Sequence, residues 1–191
     1  MKELCNMAPR YKKHLTYLNS FIQSPRSVGT LIPSSPSLCK AMIAEMNWQQ
    51  TNLKVAELGA GDGVLTKHIL KAMPADSVLS AYEINPLFFE DLDGIEDSRL
   101  SICKVSAEKL DQPFNMIFSC LPFLSLPLRV SLKILQSVMQ ILQKTGGSFV
   151  LFQYTQEMEK VLSRYFDWER KLVMKNFPPA YVYRCTPKVL S

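Results

Sequence analysis

The run Leu53-Lys54-Val55-Ala56-Glu57-Leu58-Gly59-Ala60-Gly61-Asp62-Gly63-Val64 decides how this chain folds. Residues 53–58 read as a short, mostly apolar strand. Three glycines within five residues follow, and VLTKHILKAM (64–73) then has helical spacing and stops before Pro74. Glycine permits a tight turn and lets a ligand approach the main chain closely. Strand, glycine turn and helix, in that order, open a β-α-β unit.

The alternation continues downstream. SVLSAYEI (77–84), RLSICKV (99–105), NMIFSCL (115–121) and SFVLFQY (148–154) read as strands. Pro86 starts a short helix, and residues 127–143 form a long one with Leu128, Leu132, Leu135, Met139 and Leu142 on one face. Gly146 and Gly147 end it. A helix over 156–165 precedes two last strands, 168–176 and 180–186, with Pro178 and Pro179 at the turn between them. Repeated units of this kind predict an α/β fold, a seven-stranded and mostly parallel sheet with helices on both faces and right-handed crossovers. Upstream, Ser35 is a candidate N-cap with Pro36 at the first helical position, for a helix carrying Leu38, Met42 and Met46 on one face. Residues 10–22 predict an N-terminal amphipathic helix, with Tyr11, Leu15, Leu18 and Ile22 on one side and Arg10, Lys12 and Lys13 near its start.

The 191 residues suit one domain, with 1–26 as a basic segment and 27–191 as its core. No apolar run approaches the roughly 20 residues of a membrane span. Basic residues fall where a signal peptide would be apolar, so a cytoplasmic chain is expected. The five cysteines form no CxxC pair and lie near no histidine pair, which predicts reduced thiols and no metal site. The net charge of +5 is uneven. Residues 1–26 carry five basic residues against one acidic, and 159–191 carry seven against three. Basic ends on an acidic middle suggest an anionic partner, lipid headgroups or nucleic acid.

Glu83 ends the second strand, twenty residues beyond Gly63. A carboxylate there can accept both hydrogens of a ribose diol. With the glycine turn, it implies an adenosine-bearing ligand. The spacing is ExGxGxG rather than the GxGxxG of dinucleotide sites. It resembles motif I of the class I methyltransferases, and so implies a Rossmann-like fold and S-adenosylmethionine as cofactor. In that family the acidic residue and glycines hold the methionyl part, here Glu57, Gly59, Ala60 and Gly61. Glu83 is similar to the ribose-binding motif II, with Ile84 beside the adenine. Ser106, Ala107 and Glu108 match the adenine-contacting motif III, although many relatives have aspartate where Ser106 stands. Ser119-Cys120-Leu121-Pro122-Phe123 matches motif IV, where the methyl acceptor sits.

Three stretches further resemble the bacterial phospholipid N-methyltransferases that act on phosphatidylethanolamine: SPRSVGTLIPSSPSL (24–38), SCLPFLSLP (119–127), and QYTQ (153–156) with NFPPAYVYR (176–184). This implies methyl transfer to a lipid amine, with the chain peripheral on the inner face of the cytoplasmic membrane. A basic helix over 10–22 suits an anionic membrane surface. More distantly, the chain resembles the adenine dimethylases of ribosomal RNA. Those enzymes place an asparagine where Cys120 stands, and a thiol is a poor acceptor for an amine hydrogen. They also add a helical RNA-gripping domain, so nucleic acid is the weaker expectation. The main-chain carbonyls around Leu121 and the hydroxyls of Ser119 and Tyr154 are candidates to orient the amine. Tyr11, Tyr17, Phe123, Tyr154 and Tyr181 are candidates to hold a methylated ammonium on their rings. Arg184 is the candidate for the lipid phosphate.

Overall fold

The structure, a computed structural model, describes residues 35–188. The expected helix over 10–22, with Tyr11 and Tyr17, lies outside the described residues, as does most of the 24–38 stretch. Seven strands form one sheet in the order β3-β2-β1-β4-β5-β7-β6. They are β1 Lys54–Leu58, β2 Val78–Tyr82, β3 Leu100–Cys103, β4 Met116–Ser119, β5 Ser148–Gln153, β6 Phe166–Val173 and β7 Ala180–Pro187. The first five run parallel, and β7 enters antiparallel between β5 and β6. The α/β expectation of a mostly parallel seven-stranded sheet is met. Leu58 is in register with both Tyr82 and Ser119, and Tyr82 with Cys103. Four strand ends therefore stand level at one edge of the sheet, its carboxyl edge.

Among the described residues five α-helices cover the two faces: α1 Pro36–Ala44, α2 Val64–Ala72, α3 Phe89–Asp93, α4 Leu128–Thr145 and α5 Glu159–Tyr165. The Ser35 hydroxyl caps α1 by accepting from the Leu38 N–H at 3.2 Å, with Pro36 in its first turn. Leu38, Cys39, Met42 and Met46 bury against α2 and the sheet residues Val55, Leu79 and Phe118. The opposite face takes α4 and α5, with Ile134, Leu135, Val138, Leu142 and Leu162 over Ala56, Leu58, Ile117 and Phe149.

Two expectations shift. The buried stripe of α4 runs through Ser131, Ile134, Leu135, Val138, Met139, Ile141 and Leu142. Leu128 is off that stripe and 68% exposed, because the first turn of α4 lies at the sheet's carboxyl edge, next to the β4 loop. β6 begins at Phe166, two residues before the expected start. α5 runs straight into it, and the buried Phe166 ring packs on Phe149 at 5.7 Å between centroids.

The end of α4 is built on two glycines with different duties. Gly146 has φ +67 and open space around it, so a side chain there meets only the left-handed backbone cost. A Cβ on Gly147 would sit 2.3 Å from the Asn115 carbonyl oxygen, a main-chain atom that cannot step aside. Gly146→Ala should therefore cost about 1 kcal/mol. Gly147→Ala should cost about 3 kcal/mol or more, as overpacking against backbone does. Thermal unfolding of the two variants side by side checks the order, and equal melting temperatures would contradict it.

Candidate active site and cofactor cradle

Every expected cofactor residue falls at the carboxyl edge, at or just after a strand end. Gly59 and Ala60 turn the chain away from β1, and both N–H groups donate to the Tyr82 carbonyl at 2.9 and 3.1 Å. Gly59, Gly61 and Gly63 all have positive φ. Their surroundings differ. A Cβ on Gly59 would meet Leu121 Cδ2 at 2.8 Å, so this glycine lets the motif IV loop close on the cofactor loop. Gly61 has nothing within 4 Å of that position, which leaves open space above the turn.

Glu83 holds this loop. Its Oε2 accepts from the Gly61 N–H at 2.9 Å, and Oε1 accepts from the Ile84 and Asn85 N–H groups at 2.8 Å each. A carboxylate has about four lone-pair sites. Three are used by backbone, so one position remains for a hydroxyl. Ile84 is half-buried beside it. Ser106 caps the single 3-10 turn Ala107–Lys109, its hydroxyl accepting from the Glu108 N–H at 3.2 Å. Glu108 also pairs with Lys133 at 3.6 Å. Serine where relatives have aspartate thus acts on the turn itself here.

Glu57 is fully buried on the α1/α2 face of the sheet. The Thr66 hydroxyl donates to its Oε2 at 2.6 Å, while Oε1 has no partner among the described residues. Burial pushes its carboxyl up to about 8, against the opposing Thr66 hydrogen bond and with help from Glu83 and Asp62. The other orphaned buried polar atom among the described residues is Asn85 Nδ2. Asn85 otherwise caps the turn Pro86–Phe88 by accepting from the Leu87 N–H at 3.1 Å. Buried polar atoms are nearly always partnered. Both exceptions lie on the segments that end β1 and follow β2, the same two segments that Glu83 ties together through Gly61.

The expected acceptor residues are sorted by the structure. Ser119 is fully buried, and its hydroxyl accepts from the Leu121 N–H at 3.2 Å. It shapes the motif IV turn from beneath. The Leu121 carbonyl accepts from both Gln153 Nε2 at 3.2 Å and the Phe123 N–H at 2.9 Å. Phe123 is a core residue. Tyr154 is half-buried at the end of β5. Burial pushes its phenol up, opposed by a hydrogen bond with Asn176. Tyr181 pairs with Gln153 across the sheet and so reaches the same edge. Its hydroxyl accepts from Gln156 Nε2 at 2.9 Å, and the Arg170 guanidinium covers one ring face at 5.4 Å. Arg184 pairs with Val150, in the amino-terminal half of β5. It lines a cavity of about 300 Å³ with Asn47, Thr145 and Ser148, at the opposite edge of the sheet. Three residues of antiparallel strand separate it from Tyr181, roughly 10 Å. The structure does not bring Arg184 to the site.

Four polar residues complete the edge without having been singled out from the sequence: Thr66, Asn85, Gln153 and Asn176. Asn176 is buried, with Nδ2 donating to the Pro178 carbonyl at 2.7 Å and Oδ1 accepting from the Ser35 N–H at 3.4 Å. Asn85 was legible as a capping residue before Pro86. Gln153 and Asn176 sit inside the two runs quoted for the lipid-enzyme resemblance. Among the described residues no cluster is arranged to hold a metal ion, and no helix is long and apolar enough to cross a membrane.

The strand order of this sheet is that of the class I methyltransferase fold, with a glycine loop after β1 and an acidic residue after β2 at its carboxyl edge. Comparisons with known proteins agree. The chain is 25% identical over 186 residues to the ornithine lipid N-methyltransferase of Singulisphaera acidiphila, covering 91% of this chain and 96% of that protein. Among solved structures, the N-methyltransferase NodS of Bradyrhizobium japonicum, in complex with S-adenosylhomocysteine, superposes with a TM-score of 0.71 at 11% identity, covering 92% of this chain and all of NodS (100%). The 1,6-didemethyltoxoflavin N1-methyltransferase of Burkholderia thailandensis gives 0.70 at 15% identity, covering 96% and 92%. No protein-family model matches the chain.

A buried acid held above its ordinary value of 4.5 favours the native state at low pH. That contribution is complete below about 4.5 and is lost as pH rises through about 8. Glu57→Gln keeps an acceptor for Thr66 and removes the titration. Without cofactor, wild type should lose more melting temperature than Glu57→Gln between pH 5 and pH 9, by at least about 3 °C, the shift made by roughly 1 kcal/mol in a domain this size. Parallel melting profiles would show that Glu57 does not titrate in this range.

Proposed function

We propose that this chain methylates the primary amine of a membrane lipid, phosphatidylethanolamine or an ornithine lipid, using S-adenosylmethionine. The observation that carries the reading is the similarity, over nearly the whole of both chains, to an ornithine lipid N-methyltransferase. The motif IV residues agree with it. Cys120 stands where an RNA adenine methylase needs a side-chain amide, and no described side chain at this position replaces it.

The residues fit the cofactor on three counts: the orphaned Glu57 oxygen, the orphaned Asn85 amide, and the open space at Gly61. Glu57 would take the methionyl ammonium end, Glu83 a ribose hydroxyl, and Ile84 with Ala107 the adenine. When bound, S-adenosylmethionine supplies an electrophilic methyl group on sulfur. The protein's own task is then positional. An amine nucleophile must arrive unprotonated and aligned within about 3–3.5 Å of the carbon it attacks. Tyr154 is a half-buried residue at this edge, with its phenol interacting with Asn176. It orients the amine, while Gln153 and Phe123 hold the Leu121 carbonyl and keep the motif IV loop rigid. As methyl groups accumulate the amine becomes a bulkier cation of the kind an aromatic ring can receive, and Tyr181 is the aromatic residue level with Gln153 at this edge. Residues 10–22 would hold the chain on an anionic membrane surface on the cytoplasmic side.

Transfer of labelled methyl from S-adenosylmethionine to vesicles of phosphatidylethanolamine, vesicles of ornithine lipid, and ribosomal RNA separates the readings. Label in either lipid is expected, with Tyr154→Phe lowering turnover about tenfold or more, as loss of an orienting hydrogen bond does. Label in RNA alone would overturn the lipid reading. Undiminished turnover in Tyr154→Phe would remove Tyr154 from the site.

A further inference from the structure

The exposed apolar side chains of this protein are not scattered. Val78 apart, every exposed large apolar side chain among the described residues lies at the carboxyl edge of the sheet, the edge that carries the site. The strongest group is the β6–β7 turn. Met174 is 68% exposed and Phe177 85%, followed by exposed Pro178 and Pro179. The second is the loop after β4, where Leu124 is 47% and Leu128 68% exposed. A soluble surface tolerates single apolar residues, but a phenylalanine and a methionine together at a turn tip call for a partner.

The turn is held firmly from behind. Val173 and Asn176 alternate with the exposed residues and are buried. Asn176 ties the turn to the Pro178 carbonyl, to the Ser35 N–H and to Tyr154. Phe177 is therefore presented outward by a fixed support, one residue from a side chain that touches the proposed amine-orienting tyrosine.

Charge selects the partner. Lys175 follows Met174 and Arg129 follows Leu128, both exposed, while Lys171 before the tip is paired with Glu45 at 3.8 Å. The acidic residues Glu90, Asp91 and Asp93 instead follow the carboxyl end of β2, toward the other end of the sheet. Exposed apolar side chains with Lys175 and Arg129 beside them match a bilayer surface. There the apolar groups enter the acyl boundary and the cations meet phosphates.

We infer that the β6–β7 turn, through Met174 and Phe177, together with Leu124 and Leu128, is a lipid-docking face that sets the site's mouth on the bilayer. This rests on the lipid reading above for its choice of occupant, and it is a second contact beside any made by residues 10–22. It lets a lipid amine reach Tyr154 with its acyl chains still in the membrane.

The test uses the full chain and vesicles of phosphatidylethanolamine with phosphatidylglycerol. Met174→Ser/Phe177→Ser should lower vesicle affinity, read by co-sedimentation, at least about tenfold, since two large apolar side chains no longer leave water. Its affinity for S-adenosylhomocysteine, and its activity on a short-chain, monomeric acceptor, should stay unchanged. In parallel, Phe177→Trp should keep vesicle binding, and its added emission, over that of Trp48 and Trp168, should be quenched by brominated lipid. Wild-type co-sedimentation by the serine variant, or unquenched emission from the introduced tryptophan on bound protein, would overturn the docking face even if lipid is methylated. Loss of binding in the serine variant with quenching at position 177, but no methylation of any lipid amine by wild type, would uphold the docking face and refute the acceptor reading.

Discussion

One carboxylate organises the working edge of this protein. Glu83 takes the N–H of Gly61 with one oxygen and those of Ile84 and Asn85 with the other. It thereby ties the end of β2 to the glycine loop after β1. Hydrogen bonds to a charged acceptor are stronger than neutral ones, and three of them converge here on a nearly buried group. Without that anchor, the loop would lose the one side chain that fixes its central glycine. The other site elements are placed relative to this loop. Leu121 closes against Gly59, and the Cys120 N–H donates to the Leu58 carbonyl at 3.0 Å.

Glu57 and Tyr154 both lie toward the α1/α2 face of the sheet, Tyr154 packed against the core cluster there. Glu57 points toward α1 and α2, where burial makes its charge costly and leaves one oxygen without a donor. A cation arriving beside that oxygen would relieve the cost, so the residue is set up to prefer a positively charged ligand group. Around the expected acceptor position the donors and acceptors are largely satisfied within the protein. Ser119, Leu121 and Gln153 brace one another, and Tyr154 is half-buried beside them. A satisfied support suits positioning of a neutral amine better than acid-base chemistry.

The fold was legible because its signals were local. The apolar run before Gly59, Pro36 after Ser35, and Gly146 after a long amphipathic helix each fix an element by backbone physics within a few residues. What was misread depended on tertiary placement. The α4 helix has apolar residues on more than one side, and only the position of its first turn at the sheet edge shows that Leu128 stays outside. Arg184 lies in a run similar to lipid enzymes, but strand register puts it three residues from Tyr181 toward the opposite edge. Ser119 was expected to orient the amine with its hydroxyl, and its burial under the motif IV turn makes it a brace. Thr66 and Asn85 carry no motif of their own, so their roles emerged only when the orphaned and paired atoms around Glu57 and Glu83 were located.

The central claim is that the open space over Gly61, beside Glu83, is where the proposed cofactor binds. A methyl group there meets no protein atom within 4 Å and should cost the fold only about 1 kcal/mol of left-handed strain. Equilibrium titration of wild type and Gly61→Ala with S-adenosylhomocysteine tests it directly. The account predicts at least a tenfold loss of affinity with a melting temperature only about 2–4 °C lower. Unchanged affinity in a folded Gly61→Ala variant would contradict it and place the nucleoside elsewhere.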